Sequence, residues 1–126
     1  EDIGQAPAGS VFVLHACAHN PTGVDPTAAD WKRISDALLA AGQHILVDMA
    51  YQGFASGDAR RDAAALSLLA EAGHSLALAQ SFAKNFGLYG ERVGSLSLVR
   101  AAATTETQGR RSRARPVSGC RPAVSS

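Results

Sequence analysis

Three short apolar runs, Val11 to His15, His44 to Met49 and Ser75 to Gln80, are separated by stretches with helical patterning, and this alternation leaves few folds open. Strands with a helix between them read as βαβ units, with right-handed crossovers and a parallel sheet. The first helix begins at Thr27, an N-cap with Asp30 three residues on, and places Trp31, Ile34, Leu38 and Leu39 on one face before Gly42 stops it. The second is expected over Asp62 to Ala72, with Leu66, Leu68 and Leu69, ended by Gly73. A fourth apolar run, Val93 to Val99, follows the third with no helix between them, so it is expected to run antiparallel. The fold class is therefore α/β, a mostly parallel sheet with flanking helices and a last antiparallel strand. With 126 residues there is room for one modest core.

Ligands of such sheets gather outside the carboxyl ends of the strands. Asn20, Asp48, Tyr51, Ser81 and Lys84 all lie there or just beyond. A lysine past a strand end is well placed to form a Schiff base, and a carboxylate ending a neighbouring strand can hold a heterocyclic nitrogen protonated. Those are the two protein groups that pyridoxal 5'-phosphate chemistry most needs. Taken singly, each residue has a commoner role. A loop lysine is usually solvated surface, and a strand-end aspartate often caps backbone N–H groups. Tyr51 could be half-buried packing, Asn20-Pro21 merely a turn, and His15 and His19 structural histidines with no third ligand spaced to make a metal site. Ser81-Phe82-Ala83-Lys84 also fits the Ser-x-x-Lys nucleophile motif of serine β-lactam enzymes, but the companion Ser-Asp-Asn and Lys-Thr-Gly motifs do not occur.

The small net charge of +1 hides an asymmetry. Residues 1–100 hold seven Lys/Arg against ten Asp/Glu, whereas 101–126 hold five Arg against Glu106 alone. That basic tail is built of Ala, Ser, Thr, Gly and Pro, with two valines as its only large apolar residues, so it reads as disordered. Nucleic acid is a disfavoured partner for it, since no aromatic is present to stack on bases. No stretch is long and apolar enough to span a membrane. Cys17 and Cys120 show no metal spacing and read as reduced thiols of an intracellular compartment. The start at Glu1, about ten residues before an apolar strand, reads as a piece of a larger protein.

Four long motifs stand in order along the first hundred residues. They are His15-Ala16-Cys17-Ala18-His19-Asn20-Pro21-Thr22-Gly23-Val24-Asp25-Pro26-Thr27, Asp48-Met49-Ala50-Tyr51-Gln52-Gly53-Phe54-Ala55-Ser56-Gly57-Asp58, Ser81-Phe82-Ala83-Lys84-Asn85, and Gly87-Leu88-Tyr89-Gly90-Glu91-Arg92-Val93-Gly94. Together they resemble the aspartate aminotransferases, class I enzymes of the fold type I pyridoxal-phosphate-dependent group. The resemblance implies that 1–100 are part of the cofactor-binding large domain, and that 101–126 are a non-homologous tail. It implies transfer of the amino group of L-aspartate to 2-oxoglutarate by a homodimer using amino-acid and 2-oxo-acid substrates.

The resemblance also implies residue roles. Lys84 would hold pyridoxal phosphate and then move the proton at the substrate α-carbon, and Asp48, as a buried carboxylate, would pair with the pyridinium nitrogen. Asn20 and Tyr51 would hydrogen-bond the phenolic oxygen, Ser81 and Arg92 would bind the phosphate, and His15 would sit behind Asp48 and orient it. The Asn20–Pro21 bond is expected to be cis. The family's two substrate-carboxylate arginines, its glycine-rich phosphate loop and a tyrosine from the neighbouring subunit have no counterpart here, so the chain alone is expected to be inactive. The competing expectation is a non-catalytic fragment acting through its tail or sheet edge. Cytosolic, mitochondrial and plastid forms share these motifs, so the compartment stays open.

Overall fold

The computed structural model of the chain describes residues 2–101. The tail read above as disordered lies, from residue 102 on, outside the described residues. In chain order the elements are α1 (Asp2–Gln5), β1 (Val11–His15), α2 (Ala28–Ala40), β2 (His44–Met49), α3 (Ala59–Asp62), α4 (Ala64–Glu71), β3 (Leu76–Ser81) and β4 (Gly94–Val99). The sheet order is β1-β2-β3-β4, with the first three parallel and β4 antiparallel to β3, as the missing helix between the last two strands implied.

Two successive right-handed crossovers in the same direction put α2 and α4 on one face of the sheet. Ile45, Val47, Met49, Leu76 and Leu78 point to that face and pack with Trp31, Leu38, Ala65 and Leu69. Because strand side chains alternate, Val11, Val13, Leu96 and Leu98 turn to the opposite face, where they are exposed. The start of α2 follows its sequence signals. Thr27 accepts from the Asp30 N–H at 3.2 Å, and Asp30 accepts from the Thr27 N–H at 3.0 Å, a reciprocal capping box.

Four expectations need correction. Leu39, placed above on the buried face of α2, is 47% exposed. The buried stripe is Trp31, Ser35 and Leu38, spaced i, i+4 and i+7, and Leu39 falls one step off its flank. The second helix is not one piece from Asp62 to Ala72. Asp58 caps an earlier turn by accepting from the Arg60 and Arg61 N–H groups at 2.8 and 3.2 Å, and Ala63 (φ −89°, ψ 3°) separates α3 from α4. Strand β3 is displaced by one residue, and β4 begins at Gly94 rather than Val93.

Ser35 is buried because it has a partner. Its Oγ lies 2.8 Å from Nε2 of His74, also buried, which ties α2 to the loop entering β3. Burial pushes the His74 pKa down from its ordinary 6.5, and a hydrogen bond with the Ser35 backbone offsets this in part. A histidine with a lowered folded-state pKa binds fewer protons than it does unfolded, so stability is complete above pH 6.5 and declines as pH falls through the lowered value. Urea midpoints measured from pH 8 down to pH 5 are expected to decline below pH 6.5 in the wild type and to flatten in His74→Gln. An equal decline in both would remove His74 as the cause.

Candidate active site at the carboxyl edge of the sheet

The parallel register sets the site. His15 and Asp48 are paired neighbours at the ends of β1 and β2, and Asp48 in turn pairs with Ala79 of β3. Both side chains emerge on the open face, with His15 Nε2 3.9 Å from Asp48 Oδ2. His15 Nδ1 accepts from the Asn20 N–H at 3.4 Å, which leaves the ring proton on Nε2, facing the carboxylate. Asp48, expected to be buried, has a side chain 46% exposed, because no described residue covers this face above it.

The segment after β1 turns back sharply. Ala18 adopts a left-handed conformation (φ 50°), and Asp25 accepts the N–H groups of Ala18 and His19 at 2.7 and 2.8 Å. His19 Nδ1 is 2.6 Å from Thr22 Oγ1, and the Asn20–Pro21 bond is cis, as expected. This geometry carries Asn20 back over the strand ends. On the other side, the loop after β3 places the Lys84 ammonium 4.6 Å from the centroid of the Tyr51 ring, a cation over an aromatic face.

His15, Asn20, Asp48, Tyr51 and Lys84, with Cys17 and Ala50, line one pocket of about 120 Å³. Residues from three strand ends, far apart in sequence, therefore converge on one small space. Ser81 and Arg92 are not in its lining. Ser81 ends β3, where its Oγ accepts from the Ala83 N–H at 3.3 Å. Arg92, in a left-handed conformation (φ 52°), lies two positions before Gly94, the β4 residue paired with Ser81. They stand at the β3–β4 end of the same edge.

Sequence reasoning missed three residues here. Cys17 lines the pocket, but burial, helped by the charges of Asp62 and Asp25, pushes its pKa up to about 11, so it is a neutral thiol near pH 7. Asp25 and Asp62 organise the two loops through backbone N–H groups. Nothing in sequence spacing marks such bonds, which depend on where the loops fold back.

The family profile described as "Aminotransferase class I and II" matches residues 1–125. The mitochondrial aspartate aminotransferase of Dictyostelium discoideum is 61% identical over 99 residues, covering 79% of this chain and 23% of that protein. The mitochondrial enzyme of Arabidopsis thaliana is 56% identical over the same shares, 79% and 23%. Among solved structures, the broad specificity aminotransferase from Leishmania mexicana superposes with a TM-score of 0.77 at 53% identity, over 81% of this chain and 25% of that one. The aromatic-amino-acid aminotransferase from Burkholderia pseudomallei, a structure covalently bound to pyridoxal phosphate, gives 0.76 at 42% identity, over 80% and 25%. The chain thus spans about a quarter of the length of these relatives. On the profile match and these identities, the chain belongs to the class I and II aminotransferase family.

Proposed function

We propose that this chain carries the pyridoxal-phosphate-binding centre of an aminotransferase that moves the amino group of L-aspartate to 2-oxoglutarate, working as a homodimer. The observation that carries this reading is the convergence of an amine, a carboxylate, an amide and a phenol, from Lys84, Asp48, Asn20 and Tyr51, on one pocket. That donor set fits the cofactor. Lys84 would hold it covalently, Asp48 would hold the proton on its ring nitrogen, and Asn20 and Tyr51 would hydrogen-bond its phenolic oxygen. Ser81 and Arg92, at the neighbouring end of the edge, would take the phosphate. When bound, pyridoxal phosphate supplies an electron sink for the charge left at the substrate α-carbon.

The chain's own residues do the rest. The Lys84 amine takes and returns the proton at the substrate α-carbon, a general acid/base role that requires it to be free and neutral part of the time. His15 directs its Nε2 proton at Asp48 and orients the carboxylate. Residues 1–100 form part of the cofactor-binding domain in this reading, and the setting is intracellular, in keeping with mitochondrial, cytoplasmic and chloroplastic relatives.

Borohydride reduction and tryptic mapping of a chain of the relatives' full length bearing this segment, loaded with pyridoxal phosphate, test the assignment. The phosphopyridoxyl label is expected on Lys84. Lys32 is the only other lysine of this segment, and it sits on α2. Label on Lys32, or none, would refute the reading.

A further inference from the structure

Tyr51 lies in the loop between β2 and α3, yet its ring is held under the Lys84 ammonium. A loop tyrosine keeps such a position only if its backbone is tied down. The Tyr51 carbonyl accepts from the Phe54 and Ala55 N–H groups at 2.9 and 3.1 Å, which folds the loop into a tight turn. The far side of that turn is bound to one side chain. Asp62, the last residue of α3, accepts the N–H of Gly53 at 2.8 Å, of Ala55 at 3.2 Å and of Ser56 at 3.1 Å. It is 4% exposed, and no cation contacts it among the described residues.

A carboxylate this deeply buried is costly unless its lone pairs are filled. Burial raises the Asp62 pKa, but the hydrogen bonds from Ser56, Gly53 and Ala55 outweigh it and the net shift is downward, so these donors hold the group ionised. The dependence runs both ways. The loop cannot drift without stranding a buried charge, and the Ala55 N–H is shared between Asp62 and the Tyr51 carbonyl itself. We infer that Asp62 is a positioning residue for Tyr51, setting the phenol against Lys84 from the opposite side of the turn. The inference deepens the proposed function, on whose assignment of Tyr51 and Lys84 it rests.

The test is NMR of the full chain without cofactor. The ring current of Tyr51 is expected to shift the Lys84 ε-protons upfield, and Tyr51→Leu to abolish that shift. Asp62→Ala is expected to abolish it too, and to speed exchange of the Gly53, Ala55 and Ser56 amides on the order of tenfold or more, the worth of a hydrogen bond to a charged group. The Val47 and Leu78 methyl shifts should stay in place. Asp62→Asn keeps one acceptor oxygen but turns an N–H group toward another donor, so it should retain the Lys84 shift and speed the Ser56 amide alone.

An unchanged Lys84 shift in Asp62→Ala, or no Tyr51-dependent shift in the wild type, would overturn the inference. So would loss of the Val47 and Leu78 methyl dispersion in both Asp62 variants, because Asp62 would then serve the fold as a whole. The two readings fail separately. Absence of phosphopyridoxyl label on Lys84 with these shifts intact sinks the proposed function, whereas label on Lys84 with unchanged shifts in Asp62→Ala sinks only the positioning role.

Discussion

Lys84→Ala, made in a chain of the relatives' full length bearing this segment, is expected to lower transamination by on the order of 10⁴, the upper range for a positioned acid/base group. The more telling variant is Lys84→Arg. Arginine keeps a cation over the Tyr51 ring, so any purely electrostatic role for Lys84 would survive. It does not give up its proton near neutral pH, however, and cannot act as a base at the substrate α-carbon. Both variants are therefore expected to be equally inactive in a coupled oxaloacetate assay. Because Lys84 lies outside the core, their melting curves should stay close to the wild type. An arginine variant within tenfold of wild-type rate would show that charge, not proton transfer, is what this position supplies.

Gly94→Ala is expected to cause the largest loss of stability of any glycine-to-alanine change among the described residues. Gly94 faces Ser81 in the antiparallel β3–β4 ladder, and a Cβ built on it would fall inside the contact distance of the Gln80 carbonyl oxygen. The obstacle is backbone, at the end of the ladder where β4 begins, and no rotamer relieves it. Overpacking of this kind costs about 3 kcal/mol, and more when backbone must shift. In a domain this small that corresponds to a fall in Tm of about 12 °C or more. Gly90→Ala is the control, since nothing lies within 4 Å of a Cβ there. Urea unfolding should separate the two variants, and equal midpoints would show that β4 can slide to make room. The same shift would displace Arg92, two positions before Gly94, relative to Ser81, so the damage should reach the end of the edge proposed to take the phosphate as well as the fold.

The displaced start of β4 and the broken second helix show how far local patterning could be read. Apolar runs and helical spacing identified four strands, the parallel order of three and the antiparallel last one, because those depend on periodicity and on crossover handedness. Thr27 and Asp30 marked a helix start because a capping box is complete within four residues. The α3–α4 break was not legible. Asp62 reads as a helix residue in any window, and its commitment to Gly53, Ala55 and Ser56 appears only once the loop has folded back on it.

The site divides along the same line. Lys84, Asp48, Asn20, Tyr51, Ser81 and Arg92 could be named because each lies just past or just before a strand run, inside a motif long enough to be specific. The sequence by itself determined which chemical groups stand at the ends of its strands, and which strands run parallel. Tertiary structure alone decided how they meet: the 3.9 Å from His15 to Asp48, the exposure of that carboxylate, and the anchoring of two loops by Asp25 and Asp62. The physical reason is range. Strand and helix signals arise from neighbours along the chain, whereas a buried carboxylate takes its partners from whatever backbone donors packing leaves without others.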